Sequence, residues 1–196
     1  MPTSSARGTL FLNSVDFVRE TYGDAAHERV LAALTPEQAV VCSAAVREAA
    51  WHPVAALVAY METAQRLLAP TDPGFFGRMG ADGARRDRER RAVSVMVGDV
   101  DTAVRLAAVL WRTYFQEGAL DVLETDGQGV TLRIRDFPTR RALCQRVVGG
   151  MEALFGSAAL GVRAVERACA ALGAPHCEIR MSWDTPRPAA GHDPQR

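Results

Sequence analysis

The sequence predicts an α+β fold in which N-terminal helices precede an antiparallel sheet of two hairpins with a crossing helix. Three observations support this prediction. Apolar residues recur at helical spacing through the first half of the chain. The stretch LDVLETDGQGVTLRIRDF then alternates around an Asp-Gly turn, which is typical of a hairpin. After a further helical stretch, the run EIRMSW alternates again. Helices followed by paired strands are characteristic of α+β domains.

The chain of 196 residues is long enough for one domain. We expect a flexible tail over residues 1–7, a helical N-terminal part over 8–98 and an α+β part resembling a ligand-binding domain over 99–184. Residues 185–196 are rich in proline and glycine, so we expect a disordered tail there.

The helical part divides at recognisable start and stop signals. LNSVDFVRETYG ends at a glycine, and TPEQAVVCSAAV begins with a Thr-Pro-Glu helix start. HPVAALVAYMETAQRLLAP has a wide apolar stripe that ends before a proline. DVDTAVRLAAVLWRTYFQEG is the second strong helix, and PTRRALCQRVVGGMEALFG supplies the helix between the hairpins.

The segment ADGARRDRERRAV loses the apolar period, so it predicts a surface loop or a frayed helix end. Its arginines, Arg85, Arg86, Arg88, Arg90 and Arg91, are interrupted by acidic residues and lack interleaved aromatic residues. A solvated surface explains them better than a nucleic-acid site.

Composition excludes several classes of function. The formal net charge is zero, which argues against nucleic acid or an anionic membrane as partner. No run reaches the ~18–20 apolar residues of a membrane-spanning helix, and the N-terminus lacks a signal-peptide pattern. We therefore expect a cytoplasmic protein without membrane insertion. No catalytic motif is recognisable, so we expect no enzymatic activity.

The stretch VERACAALGAPHCEIRMSW contains the most informative residues. Cys169 and Cys177 flank a Gly-Ala-Pro turn, Glu166 lies three residues before Cys169, and Cys144 lies on the preceding helix. Three thiolates and a carboxylate can complete a tetrahedral zinc site, with His176 as a reserve ligand. Two alternatives stay open: buried apolar cysteines, or a redox pair, which a reducing cytosol disfavours. Cys42 has no partner pattern and is expected in the core.

Aromatic residues form a second set of candidates. They could line an apolar pocket for an aromatic or lipid-like ligand, although aromatic residues at helical spacing also serve as ordinary core. The set comprises Trp51, Tyr60, Phe75, Phe76, Trp111, Tyr114 and Phe115.

From YFQEGALDVL to EIRMSW, roughly residues 99–184, the sequence resembles the vinyl-reductase-type small-molecule-binding domain. That domain is related to the haem–nitric-oxide-binding fold and to the Bet3 subunits of tethering complexes. From GTLFLNSVDFVRE to the final SW, the chain is also similar to an uncharacterised family of paralogues known mainly from myxobacteria.

The resemblance implies a zinc site. In aromatic-sensing members of the vinyl-reductase-type group, a helix cysteine and a Glu-x2-Cys-x7-Cys element hold one zinc. Here Cys144, Glu166, Cys169 and Cys177 occupy those places. The Tyr-x-Ser-x-Arg element of haem–nitric-oxide-binding domains is absent, so we expect a structural zinc and no haem.

Fold and resemblance together predict a non-catalytic sensor or regulatory module that binds a small apolar or aromatic molecule. The alternative is an adaptor resembling Bet3, which would act through protein–protein contacts without a ligand. A homodimer or a partner protein is compatible with either function. A cavity beneath Trp111 would favour the sensor, and a filled core with an exposed apolar helical patch would favour the adaptor.

Overall fold

The computed structural model describes residues 4–43, 46–90, 99–137 and 140–186. Seven helices lie within these ranges, and none combines the length and apolarity needed to cross a bilayer. The helices are α1 (Gly8–Tyr22), α2 (Asp24–Ala32), α3 (Pro36–Val40), α4 (Val54–Leu68), α5 (Phe75–Glu89), α6 (Val100–Tyr114) and α7 (Arg141–Phe155). The α+β prediction is confirmed.

The strands of the described ranges form one sheet of four strands and two small pairs. The large sheet has the order β3-β4-β7-β6, with every neighbouring pair antiparallel, so the predicted hairpins β3–β4 and β6–β7 join side by side. The strands are β1 (Ser5–Arg7), β2 (Trp51–Pro53), β3 (Ala119–Asp126), β4 (Gly129–Arg135), β5 (Ala159–Leu160), β6 (Arg163–Ala168), β7 (Cys177–Ser182) and β8 (Thr185–Pro186).

One face of the large sheet is apolar and lies beneath α7. Val130, Leu132 and Ile134 of β4 are buried, and so are alternate residues of β7. Side chains alternate between the two faces of a strand, so the same register that buries Ile179 also directs Cys177 into the core. The position of Cys177 is therefore fixed by strand register.

Helices α5 and α7 cross with their backbones in contact. A Cβ on Gly80 would overlap the carbonyl oxygen of Arg146, and a Cβ on Gly149 would overlap the backbone of Gly77. Only glycine permits so close an approach. The crossing ties the helical half to the helix that carries Cys144.

The structure corrects the prediction for ADGARRDRERRAV. Its described residues belong to α5, which continues to Glu89, and Arg86 is buried. The Arg86 guanidinium donates to both carboxylate oxygens of Glu20, at 2.7 and 2.6 Å, and to Asp82. The apolar period is missing because glycines make the helix contact and the buried Arg86, held by ion pairs, takes the place of an apolar side chain. Arg91 lies outside the described residues.

The predicted tails also differ from the structure where it describes them. Ser4 is buried, and Ser5–Arg7 forms β1, which pairs with β2. At the other end, Thr185–Pro186 forms β8. These short segments are ordered because partner strands satisfy their backbone hydrogen bonds. Residues 1–3 and 187–196, the remainder of the predicted tails, lie outside the described ranges.

Candidate metal centre and adjoining cavity

Three buried cysteines converge at the point where α7 crosses the closing hairpin. Cys144 comes from α7, Cys169 follows β6, and Cys177 begins β7. Their Sγ atoms all lie within 4.8 Å of one another. The Cys144 and Cys177 sulfurs are 3.8 Å apart. Two thiolates at ~2.3 Å from one tetrahedral zinc would be separated by about 3.8 Å, so this pair already has the required spacing.

A tight reversal places Cys169 beside Cys177. A short 3₁₀ turn (Ala170–Leu172) follows Cys169, and Gly173 then takes a left-handed conformation with φ of 95°. The Ala174 N–H donates to the Cys169 carbonyl at 3.2 Å and closes the turn. Glycine adopts this backbone conformation without steric cost. The LGAPH turn thus brings the two hairpin cysteines together.

The thiols form a hydrogen-bonded set. Cys144 and Cys177 share a hydrogen bond, and the backbone N–H of Ala170 donates to Cys177 Sγ at 3.3 Å. The bond from Cys144 lowers the pKa of Cys177 to about 6, assisted by the Ala170 N–H and opposed by burial. The same bond and burial raise the pKa of Cys144. Cysteines bind metals as thiolates, and Cys177 is the thiol that this arrangement ionises first.

Glu166 lies at the edge of the cysteine group, on β6. One carboxylate oxygen, Oε2, accepts a hydrogen bond from Arg141 Nη1. The other oxygen, Oε1, is buried and has no hydrogen-bond partner among the described residues. Arg141 Nη1 also donates to Cys169 Sγ at 3.5 Å, and the bond from Glu166 raises the pKa of Arg141. A buried, unpaired carboxylate oxygen is costly unless a ligand satisfies it.

The structure does not bring all the predicted ligands together within 4.8 Å. The group of ligand atoms within 4.8 Å contains neither Glu166 nor His176. His176 Nε2 lies 3.7 Å from Glu178 Oε2. Cys42 is buried in the helical half, where burial raises the pKa of its thiol to about 12.

The structure distributes the aromatic candidates over several places. Trp111 and Phe115 pack together with ring centroids 4.6 Å apart, and Phe137 meets both rings edge-on. Phe75 and Phe76 belong to the core of the helical half, where Phe75 packs against Phe17. Neither Phe75 nor Phe76 lines the small cavity beneath Trp111 that is described below.

The other aromatic candidates have specific polar or cationic partners. The Tyr60 hydroxyl lies 2.9 Å from His27 Nδ1, and the Tyr114 hydroxyl donates to Asp87 at 2.6 Å. Trp51 is partly exposed and stacks under the Arg7 guanidinium at 4.5 Å. His27 lies in α2 and is buried.

A small apolar cavity adjoins the cysteine group beneath Trp111. Its volume is about 10 Å³, which corresponds to a single water molecule. Trp111, Phe137 and Ile134 line one side, and Cys144, Cys177 and Glu166 line another. Sequence reasoning found Trp111 but missed Phe137, whose position gave no periodic signal. At this volume the cavity is too small for an aromatic ligand, and side chains fill most of the space beneath Trp111.

A larger groove of about 550 Å³ opens to solvent between α5 and α7. Arg78 and Ala81 line its α5 side, Arg141 and Glu152 line its α7 side, and Glu166 lies at its base. Glu166 therefore lines both this groove and the cavity that borders Cys144 and Cys177.

A buried polar network lies between the helical half and α7. Asp87 of α5 accepts hydrogen bonds from Asn13 at 2.8 Å and from Tyr114 at 2.6 Å. Arg146 of α7 is buried nearby and donates to the Leu10 carbonyl at 3.1 Å. Burial lowers the pKa of Arg146 to about 10. The network joins α1, α5, α6 and α7 through side chains whose roles the sequence did not reveal.

Comparison with solved structures identifies the fold as that of H-NOX domains, the haem–nitric-oxide-binding class. An H-NOX protein from S. oneidensis in the Fe(II)NO state superposes with a TM-score of 0.71 at 14% identity, covering 91% of this chain and 99% of that chain. An Fe(II) unliganded H-NOX protein from K. algicida gives 0.65 at 9% identity, covering 91% and 96%.

No protein-family model and no curated protein matches the sequence. The structural matches confirm the predicted relation to the haem–nitric-oxide-binding fold. The resemblance to the vinyl-reductase-type domain and to the myxobacterial paralogues stays a prediction.

The expectation that haem is absent is contradicted by these matches and is wrong as stated. It rested on the missing Tyr-x-Ser-x-Arg element. The solved structures include Fe(II) H-NOX proteins and one studied for haem distortion, which matches with a TM-score of 0.66. Because a chain at 9 to 14% identity retains this fold, one absent sequence element does not exclude the cofactor.

Neither space described above fits a porphyrin as it stands. The cavity beneath Trp111 holds about 10 Å³, whereas pockets for cofactors and drug-sized ligands span roughly 300–1,000 Å³. The groove is open and lined by charged side chains. Haem iron also needs an axial ligand such as histidine or a cysteine thiolate. Among the described residues His27, His52 and His176 line neither space, and Cys144 and Cys177 border only the cavity of about 10 Å³. We therefore assign no chemistry to haem in these two spaces.

Proposed function

We propose that this chain is a non-catalytic sensor or regulatory module for a small apolar or aromatic molecule, with a structural zinc ion. The ligands of the zinc are Cys144, Cys169, Cys177 and Glu166. The observation that carries the proposal is the convergence of three buried sulfurs within 4.8 Å, from a helix, from the residue after β6 and from the first residue of β7. A reducing compartment such as the cytoplasm keeps such thiols available to a metal.

The ligand set determines the role of the metal. Three thiolates and one carboxylate complete the tetrahedral shell of Zn²⁺ and leave no position for a reactive water. The ion would therefore join α7 to the β6–β7 hairpin and would not catalyse hydrolysis. Glu166 is the fourth ligand because its Oε1 is buried beside the cysteines without a hydrogen-bond partner among the described residues.

The fold and the cavity support small-molecule sensing. The matched H-NOX structures include one with iron-bound nitric oxide, so the architecture accommodates a small ligand in at least that protein. In this chain the apolar cavity beneath Trp111 borders Cys144 and Cys177. A ligand larger than water would have to displace side chains such as Phe137. Binding would therefore change the packing of the side chains around the metal site.

Metal analysis tests the zinc proposal. Wild type, Cys169→Ser and Cys177→Ser should be compared by elemental analysis for zinc and iron together, with Cys42→Ser as the matched control. We expect about one zinc per chain in wild type and in Cys42→Ser, and loss of zinc with a lower melting temperature in the two site variants. A folded, fully reduced wild type that binds no zinc would overturn the zinc proposal.

Ligand binding needs a separate measurement. Melting temperatures of the zinc-loaded protein should rise with small aromatic compounds such as phenol or toluene, because a ligand that binds only the native state stabilises it. Val147→Phe, which fills the cavity from one of its lining residues, should abolish the rise. Equal shifts in wild type and Val147→Phe would place ligand binding elsewhere and contradict this assignment.

The adaptor is the second candidate, and one observation favours it. Val109 of α6 is 59% exposed, and Val122 and Leu123 on the adjoining β3 are 40% and 43% exposed. An adaptor would use such a surface to form a dimer or to bind a partner protein. A concentration-dependent dimer in light scattering that Val109→Asp dissociates, together with no ligand-induced shift in melting temperature, would favour the adaptor over the sensor.

A further inference from the structure

We propose that Arg141 is a positioning residue of the metal centre. It holds one oxygen of Glu166 so that the other is left for the metal, and its charge offsets the negative charge of the ligands. This inference rests on the zinc site proposed above. It is carried by the two contacts that Arg141 Nη1 makes, one with Glu166 Oε2 and one with Cys169 Sγ at 3.5 Å.

The two oxygens of Glu166 have different surroundings. Oε2 is occupied by the Arg141 guanidinium, whereas Oε1 is buried without a partner among the described residues. A carboxylate free to rotate would offer either oxygen, or both, to a metal. The hydrogen bond from Arg141 Nη1 to Oε2 restrains that rotation. Glu166 is thereby prepared to bind through one oxygen.

The charge of the centre gives Arg141 a second role. Three thiolates, one carboxylate and Zn²⁺ sum to a net charge of −2 in a largely buried place. An uncompensated buried charge is strongly unfavourable. The Arg141 guanidinium reduces the sum to −1 through direct contact with two of the ligands. Partners of this kind orient metal ligands and tune the affinity for the ion.

Arg141 can be replaced without opening the core. It is the first residue of α7, and its side chain is 43% exposed at the rim of the groove between α5 and α7. Arg140, which precedes it, is exposed and carries the same charge. Arg140→Gln is therefore a matched control that changes the net charge equally.

The test is zinc affinity, measured by competition with a chromogenic chelator on the full chain. We expect Arg141→Gln to weaken zinc binding by roughly 10- to 100-fold, the range found for residues that support metal ligands. Arg140→Gln should stay near wild type. Arg141→Lys retains the positive charge but replaces the guanidinium with an ammonium group, so its zinc affinity should lie between those of the other two variants.

A second readout separates positioning from a general loss of stability. Co²⁺ bound by thiolates absorbs in the visible region, and the absorption depends on the ligand set. The Co²⁺ spectrum of Arg141→Gln should shift toward that of Glu166→Gln, because in both variants the carboxylate is no longer presented to the metal. The spectra of Arg140→Gln and wild type should coincide.

The outcomes distinguish this inference from the proposed function. If wild type binds zinc and Arg141→Gln matches Arg140→Gln in both affinity and spectrum, the positioning role is overturned and the zinc site stands. If folded wild type binds neither zinc nor Co²⁺, both proposals fall. If Arg141→Gln does not fold, Arg141→Ala is measured in its place, and unchanged affinity and spectrum in that variant overturn the positioning role.

Discussion

Cys144 and Cys177 are separated by 33 residues in sequence, yet their sulfurs lie 3.8 Å apart. The first belongs to the helix that crosses the sheet, and the second begins a central strand. Their contact joins the two layers of the C-terminal half at one point. Anything that binds both sulfurs therefore fixes the helix against the sheet, and the first prediction follows from this relationship.

Zinc should protect the site thiols from alkylation. With zinc bound, iodoacetamide should modify Cys144, Cys169 and Cys177 slowly, because their lone pairs are held by the metal. After chelation Cys177, whose pKa is lowered, should react in the folded protein faster than Cys144, whose pKa is raised, as peptide mass spectrometry can show. Cys42, buried in the helical half with its pKa raised to about 12, should react only in denaturant. Equal rates with and without zinc would argue against thiolate ligation.

Alanine substitution at two glycines of the α5–α7 crossing should have very different effects on stability. Gly149→Ala places a Cβ into the backbone of Gly77 and should destabilise the fold by about 2 kcal/mol or more, through overpacking. Gly77→Ala is the matched control, because its added Cβ meets nothing nearer than 4.0 Å. This control should be neutral or stabilising by up to ~1 kcal/mol, since alanine favours helix. Urea unfolding measures both values, and similar losses in the two variants would contradict the crossing geometry.

Stability should depend on pH through His27. Burial is the main cause that lowers the pKa of His27 in the folded state, where Tyr60 is its hydrogen-bond partner and Arg19, Glu28 and Asp24 lie around it. Below the ordinary histidine pKa of ~6.5 the unfolded chain binds more protons than the folded one. The free energy of unfolding therefore decreases as the pH is lowered. Above that pH this contribution is flat.

Urea titrations between pH 5 and 7.5 check this slope, and His27→Gln should reduce it. His52→Gln provides the comparison. Burial also lowers the pKa of His52, so that variant should remove a separate part of the pH dependence of stability. A slope that is unchanged in His27→Gln would show that His27 is not responsible.

The Asp87 network should be sensitive to loss of one hydroxyl. Tyr114→Phe removes a 2.6 Å hydrogen bond to a buried carboxylate. We expect a loss of about 1–3 kcal/mol in the free energy of unfolding, the usual range when a buried acceptor such as the Asp87 carboxylate loses a hydrogen-bond donor. The loss should shrink in an Asp87→Asn background, where the acceptor is no longer charged. Additive effects of the two substitutions would mean that the hydroxyl and the carboxylate do not interact.

Local sequence pattern determined much of this protein. The alternation around Asp126-Gly127 and in EIRMSW gave both hairpins, because strand side chains alternate between faces whatever the partner strand is. The Glu166-x2-Cys169-x7-Cys177 spacing selected three of the four proposed ligands, and two of them lie in the cysteine group. The Thr-Pro-Glu helix start was also predicted, because such signals depend on residues close in sequence, and the structure shows that Thr35 forms a capping box there.

Only the tertiary structure decided the remainder. The arginine-rich segment was misread because its helix packs through Gly80 and Gly83, and glycine contacts leave no hydrophobic periodicity to detect. Phe137 and Arg141 acquire their roles from elements distant in sequence, and so does the pairing of Asp87 with Tyr114. Cavity volume likewise depends on how side chains from separate elements interlock. Hydrophobic periodicity indicates which face of a helix or strand is buried. Which element packs against that face depends on contacts between residues distant in sequence.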